Sequence, residues 1–300
     1  MCARSRGGFA AGIDRLERDC VGSNERPPTK AGEVLTTVAV IGATGIAGSR
    51  VVARLKARGV AVVEVSRTHG VDVLDGESLY RALKGVDVAI DVANPEPHDG
   101  HPATTEALAA RNVMGVCSAR GVQRVVMSAI AGIDDPVFDG LPYFEGKRAA
   151  KEILLEGPVP TTIVNSTQWY ESATGPAGPV ICDGHEVLVE DWLIQPIAAD
   201  TVADVLVEAA LGQTHTPRTI TGPDAIRLPE LTSKVLAQQG DDRPVRVVQP
   251  AVPALAAGAL LAPERAVIVG PDVETWLRTV PPASTDGDGA TLHRPDFSRT

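Results

Sequence analysis

From Val34 onward the chain alternates between short runs of β-branched and small apolar residues and longer segments whose apolar positions recur at helical spacing. The runs are VLTTVAVIG (34–42), GVAVVEVS (59–66), VDV (71–73), VDVAIDVA (86–93), VQRVVMSA (122–129) and TTIVNS (161–166). Most are separated by segments with the period of amphipathic helices, among them GSRVVARLKARG, GESLYRALKG, TTEALAARNVMGVCSARG and GKRAAKEILLEG. Strands that are apolar at nearly every position are covered on both faces, and alternation of strand and helix is what a parallel sheet between two helical layers requires. The pattern predicts a doubly wound α/β domain over residues 34–166.

Beyond that point the pattern is more mixed and richer in proline. A helix is expected at DTVADVLVEAALG (200–212), with Asp200 as N-cap and Gly212 near its end. RTITG then reads as a strand, LPELTSKVLAQQG as a helix, VRVVQP as a strand and AVPALAAGALLAP (251–263) as an apolar helix. These elements suffice for a small C-terminal substrate lobe over 167–280. Residues 1–33 lack a sustained apolar period and contain NERPPTK, so they read as a flexible leader. With the first strand starting at about Val34, a start codon placed too early would account for that leader. Residues 281–300 read as a frayed tail.

Composition narrows the function classes. A hydrophobic fraction of 44% over 300 residues supports an ample core. A net charge of −10, with no run of Lys and Arg, argues against tracking a nucleic-acid backbone. The apolar segment 251–263 is too short to span a bilayer, so no membrane partner is expected. Cys2, Cys20, Cys117 and Cys182 show no metal or disulfide spacing and read as reduced thiols of a cytoplasmic protein.

Candidate chemistry begins at VAVIGATGIAGSRVV, where Gly42, Gly45 and Gly48 fall between the first strand and the first helix. Glycines at such a turn let backbone N–H groups approach a diphosphate, and the helix N-terminus adds unpaired donors and partial positive charge. The bland reading is an ordinary tight β–α turn, but its place in the first β–α turn of a strand–helix alternation favours dinucleotide binding through Gly42, Thr44, Gly45, Ile46 and Gly48. With its G-x-x-G-x-x-G spacing, IGATGIAG resembles the atypical, extended branch of the short-chain dehydrogenase/reductase superfamily, similar to NmrA-like NAD(P)-binding proteins. The resemblance runs from about residue 36 to about 280. It implies a Rossmann fold, a nicotinamide cofactor and a Ser, Tyr-x-x-x-Lys catalytic pattern.

The second strand ends in VSRTHG. Ser66 and Arg67 stand where an NAD-selective site would carry Asp or Glu, and a hydroxyl with a cation suits a ribose 2′-phosphate. NADP(H) is therefore favoured over NAD(H), against the alternative of a solvated arginine; Glu64 lies within the strand and reads as structural. The resemblance assigns Asp72, expected in a third strand, to the adenine. Ala93 and Asn94, just past the fourth strand, are expected to line the cofactor groove.

LPYFEGKRAAKE places Tyr143 four residues before Lys147, on one face of a helix. A nearby ammonium favours phenolate and brings a tyrosine toward proton transfer at neutral pH. Tyr80 and Lys84 share the spacing, so spacing alone does not choose between the pairs. Chain direction puts Tyr143 at the carboxyl end of the sheet with Ser128, and puts Tyr80 and Lys84 at the other end, as helix packing and solvated surface. The resemblance supports the same choice, making Ser128, Tyr143 and Lys147 the catalytic group, with Lys147 also on the nicotinamide ribose. Two departures stand out: Gly146 inside the helix, which weakens it by about 1 kcal/mol relative to Ala, and Asn165 where relatives often carry Arg.

Trp169, Tyr170 and Glu171 follow the sixth strand and are candidates for a substrate pocket, with core packing an equal reading for Trp169. His98, Asp99 and His101 in EPHDGH are better read as a polar loop than as a metal site. Asp134 and Asp135 are turn residues. The sequence thus predicts an oxidoreductase moving hydride between NADP(H) and a small carbonyl, alcohol or quinone. Its alternatives are an NADP(H)-sensing regulatory protein and an epimerase or dehydratase with tightly bound NAD(P). The expected partner is a small molecule, and a homo-oligomer is left open.

Overall fold

A computed structural model describes residues 36–97, 101–174, 180–182, 185–212 and 218–282. The expected leader, residues 283–300 of the tail, and His98 and Asp99 lie outside the described residues. The first elements are β1 (Thr37–Ile41), α1 (Ile46–Ala57), β2 (Ala61–Val65), α2 (Gly76–Ala82), β3 (Val88–Asp91), α3 (Pro102–Arg120), β4 (Arg124–Ile130), α4 (Pro142–Glu156) and β5 (Thr161–Ser166). There follow β6 (Val180–Cys182), β7 (Val187–Glu190), β8 (Leu193–Ile194), α5 (Ala199–Ala210), β9 (Arg218–Thr221), β10 (Ile226–Arg227), α6 (Leu228–Gln239), β11 (Val245–Val248), α7 (Pro253–Ala257), β12 (Val267–Ile268) and α8 (Val273–Leu277).

Seven of these strands form one sheet in the order β12-β9-β5-β4-β3-β1-β2, parallel throughout. Strand alternation divides its side chains between two helical layers. Ala39, Ile41, Ala89, Val125, Met127, Ala129 and Ile163 join Leu79, Val113, Met114, Ala150 and Leu154 in a core beneath α2, α3 and α4. On the opposite face Val38, Val40, Ile90, Val126 and Val164 are buried, and α1 and α5 pack there. Arg50 and Arg54 of α1 bridge to Asp200 at 2.9 and 2.8 Å, and Arg54 also to Asp204 at 2.6 Å. These pairs tie α5 to the helix that carries the glycine turn.

Four expectations need correction. VDV at 71–73 is not a strand: the Asp72 carboxylate accepts from Leu74 N–H, and the side-chain amide of buried Asn112 donates to the carbonyls of Val73 and Leu74. Those carbonyls are satisfied without a neighbouring strand, so the sheet has its edge at β2. The domain split at residue 166 also fails, because the chain returns to the sheet. One unit comprises residues up to Thr167 with Ala199–Thr221 and Ala262–Val269; the other comprises Gln168–Ala198, Gly222–Leu261 and the residues from Gly270. Asp200 is not an N-cap but lies inside the first turn of α5, its carboxylate drawn to Arg50 and Arg54. The apolar helix expected over 251–263 shortens to α7, which ends at Gly258 with φ +104°.

Within the second unit, β6, β7 and β11 form a three-stranded sheet and β8 pairs with β10. Tyr170 is fully buried in this unit, stacked on Trp276 with ring centroids 4.8 Å apart.

Candidate functional site

The chain leaves β1, turns outward to β2, and returns to β3 on the other side of β1. This reversal opens a crevice at the carboxyl ends of β1 and β3, where open α/β sheets bind ligands. Gly42 closes β1 with φ +87°, and a Cβ there would lie 2.9 Å from the Val92 carbonyl oxygen. Gly48 is held more tightly still, since its Cβ would stand 2.0 Å from the Gly42 carbonyl oxygen. Glycine at both positions seats the N-terminus of α1 against the turn. Among the described residues no side chain caps the N-terminus of that helix and no acid occupies its first turn, while Thr44, Gly45 and Ile46 are exposed. Exposed backbone at the positive end of a helix of this length is suited to a diphosphate.

At the end of β2, Ser66 Oγ lies 2.7 Å from His69 Nδ1. Arg67 makes a two-pronged pair with Glu96, both contacts at 2.9 Å, and both side chains are largely exposed. Glu64 is engaged by Lys56 at 2.5 Å. Asp72, half-buried, sits in the turn before α2 rather than on a strand. Ala93 and Asn94 follow β3 as expected, with Ala93 half-buried and Asn94 exposed.

Tyr143 occupies the first turn of α4, behind Pro142, and is 44% exposed. Lys147 Nζ lies 5.8 Å from the Tyr143 ring centroid. Its direct partners are elsewhere: Glu106 Oε1 at 2.7 Å and the Ala93 carbonyl at 3.2 Å. Gly146 explains this arrangement, because a Cβ there would meet Ala103 Cα at 3.0 Å and Glu106 Cγ at 3.1 Å. The glycine that weakens α4 as a helix thereby lets α4 approach α3 closely enough to set Lys147 against Glu106.

Asp91, at the end of β3, adds a second buried acid. Its Oδ1 accepts from Ala93 N–H at 3.0 Å. Burial pushes the Asp91 carboxyl up to about 6, against the opposing pull of the Ala93 N–H and Lys147. Burial likewise raises Glu106, with the Lys147 ammonium pulling the other way. Asp91, Glu106, Ala93 and Ser128 line a small cavity. Ser128 is not the last residue of β4, which continues to Ile130. Its neighbours Met127 and Ala129 face α3 and α4; among the described residues no hydrogen bond joins Ser128 to Tyr143 or Lys147. The structure thus brings Tyr143 and Lys147 together and adds two acids that sequence reasoning missed. The one signal for Asp91 was a carboxylate ending an otherwise apolar strand; Glu106 had none beyond its place in an apolar helix.

Residues 42–212, from the first glycine of the turn to just past the end of α5, match the family described as NAD(P)H-binding. The chain belongs to this NAD(P)H-binding family. Over 120 residues it is 28% identical to human sterol-4-alpha-carboxylate 3-dehydrogenase, decarboxylating, and to the bovine protein of the same name. The aligned stretch covers 36% of this chain and 31% of the human protein, so the match spans about a third of that relative's length. Among solved structures, the Bordetella bronchiseptica enzyme WbmH in complex with NAD+ aligns with TM-score 0.63 at 16% identity, covering 83% of this chain and 97% of that one. GDP-mannoheptose C4 reductase from Campylobacter jejuni, with NADP bound, aligns with TM-score 0.58 at 10% identity, covering 83% and 98%. At these identities the likeness is one of fold, and it includes partners carrying either nicotinamide cofactor.

The other candidates of this NAD(P)H-binding chain separate by burial. Tyr170 cannot line a substrate pocket as the sequence suggested: it is fully buried and its hydroxyl donates to the Pro271 carbonyl at 3.2 Å. Burial raises its phenol well above the ordinary range. Trp169 and Glu171 are half-buried in the same unit, with the Trp169 backbone bridging to Ile197. Tyr80 is buried beneath the Arg120 guanidinium, 3.5 Å from its ring centroid, and Lys84 is exposed. Among the described residues there is no metal-binding cluster and no helix long and apolar enough to cross a membrane.

Proposed function

We propose that this chain is an NADP(H)-dependent oxidoreductase acting on a small carbonyl, alcohol or quinone. The observation that carries the reading is the shared edge: the glycine turn after β1, the Ala93–Asn94 segment after β3 and the Tyr143–Lys147 face of α4 belong to one unit. The backbone amides around Gly45 would hold the diphosphate. Lys147, fixed beside Ala93, would hold the nicotinamide ribose, and the cofactor when bound would supply or take up hydride. Tyr143 would exchange a proton with the substrate oxygen, its exposed phenol being accessible to a ligand. Ser128 enters the reading through the family pattern alone, since Met127 and Ala129 take the register that faces α3 and α4. The dehydrogenase and reductase names of the relatives agree with this reading.

Preference for NADP(H) rests on Arg67. A 2′-phosphate carries more negative charge than the single carboxylate of Glu96 and is matched by the planar guanidinium, so it would displace Glu96 from an exposed pair of little intrinsic strength. A second reading, a cofactor-binding protein without turnover, draws on one observation: the Lys147 ammonium is already neutralised by Glu106.

Binding of NADPH and NADH should be measured by titration calorimetry with wild-type protein and R67A, followed by NADPH oxidation assays against ketones, aldehydes and quinones with Y143F and S128A. The reading expects tighter NADPH binding, lost in R67A, and turnover lost in Y143F. Equal affinity for the two cofactors removes the NADP(H) assignment. Binding without turnover favours the second reading, and equal turnover by Y143F removes Tyr143 from the mechanism.

A further inference from the structure

Glu106 is absent from the Ser, Tyr-x-x-x-Lys pattern, yet it makes the shortest polar contact of the lysine in that pattern. The two side chains are 7% and 12% exposed and lie 2.7 Å apart. Their contact is built by helix packing: Gly146 admits α3 to within 3.0 Å of where its Cβ would be, and one atom of that close approach is Glu106 Cγ, at 3.1 Å. A second N–H of Lys147 is taken by the Ala93 carbonyl, and the Ala93 amide is in turn held by Asp91 at 3.0 Å. The lysine is therefore tied to α3 and to the segment after β3.

We propose that Glu106 is a positioning residue for Lys147, fixing its ammonium so that one N–H direction remains for a hydroxyl of a bound cofactor's ribose. An ammonium has three donors; Glu106 and Ala93 engage two. A nearly buried ammonium is stabilised by an opposite charge beside it. A glutamine in place of Glu106 would keep a hydrogen bond and remove that charge. The part of this proposal that concerns the ribose rests on the oxidoreductase reading above; the hold on Lys147 does not.

Two measurements on the full chain separate those parts. The first needs no cofactor: NMR relaxation of the lysine ammonium groups at one fixed pH, with Lys147 assigned through K147M, in wild type and E106Q. Loss of the carboxylate should lower the order parameter of the Lys147 ammonium toward that of exposed lysines; an unchanged order parameter overturns the proposal. The second is NADPH affinity by calorimetry in wild type, E106Q, K147M and E106Q/K147M. E106Q and K147M should each weaken binding by about tenfold, and the double variant should be no worse than K147M alone, because contacting residues are non-additive. Losses that multiply in the double variant, or wild-type affinity in K147M, overturn it. If E106Q alone does not fold, E106Q/K147M leaves no unpaired ion, and weaker binding than K147M overturns the proposal. A wild-type protein that binds neither NADPH nor NADH sinks the oxidoreductase reading, while the lysine relaxation measurement still decides whether Glu106 holds Lys147.

Discussion

Replacing Gly48 by alanine tests the packing beneath the glycine turn. A Cβ at this position would lie 2.0 Å from the Gly42 carbonyl oxygen and 2.7 Å from its carbon. An ordinary C···O contact is ~3.3 Å or longer, so the turn and the start of α1 must separate by about 1 Å. Both obstructing atoms are backbone, and the Gly42 conformation is itself constrained at φ +87°. Overpacking of this kind costs about 1–3 kcal/mol, offset in part by the ~1 kcal/mol gained when alanine replaces glycine within a helix. G48A should therefore lose up to about 2 kcal/mol of stability. Binding should suffer more, because a displacement of about 1 Å in a positioning element costs up to ~100-fold. Gly45 supplies the control. Its φ is −75° and its Cβ would meet only Gly42 O, at 3.3 Å, so alanine asks the turn to give by no more than a few tenths of an ångström at the position assigned to the diphosphate. Denaturant unfolding with NADPH calorimetry should show G48A weakened in both and G45A weakened in binding alone. A G48A protein with wild-type stability and affinity would refute the close approach of α1 to the turn.

Further expectations follow from the buried groups. G146A should destabilise by about 1 kcal/mol although alanine favours helix, because Ala103 and Pro102 backbone stands 3.0 to 3.1 Å from the added Cβ; a raised melting temperature would contradict the packing of α4 on α3. Asp91 titrates at about 6 in the folded chain against an ordinary 3.8. Its contribution to stability is greatest below the unfolded value and is lost as pH rises through the folded one, amounting to a cost on the order of 3 kcal/mol at pH 8. D91N should consequently gain on wild type between pH 4 and pH 8 in urea unfolding, and parallel pH profiles for the two proteins would exclude that linkage. Y170F removes the hydrogen bond to Pro271 and should cost about 1 kcal/mol without altering NADPH affinity. Loss of affinity at unchanged stability would return Tyr170 to the binding site.

Local rules carried much of this protein. Apolar runs at strand length, helical spacing between them and the glycines of IGATGIAG act over a few residues, and the chain realises them as five parallel strands with a turn that only glycine fits at Gly42 and Gly48. The placing of Tyr143 and Lys147 on one helix face, and of Tyr80 beneath a packed helix, was also legible, because (i, i+4) geometry is fixed by the helix itself. The failures are non-local. The VDV segment has a strand's residues, but Asn112, far along the chain, satisfies its carbonyls. Asp200 has a cap's chemistry, but two arginines of α1 claim it.

What the sequence by itself determined was thus the parallel sheet, its first glycine turn and the Tyr–Lys face, all consequences of period and backbone freedom. Tertiary structure decided which charges meet. Glu106 reaches Lys147 only because Gly146 lets two helices touch, and Asp91 is raised only because the sheet and helices exclude water from it. Tyr170 became core because the second unit stacked Trp276 upon it. Periodicity specifies which face of an element is apolar, whereas the partner and the dielectric surroundings of a polar group depend on how elements distant in sequence cross.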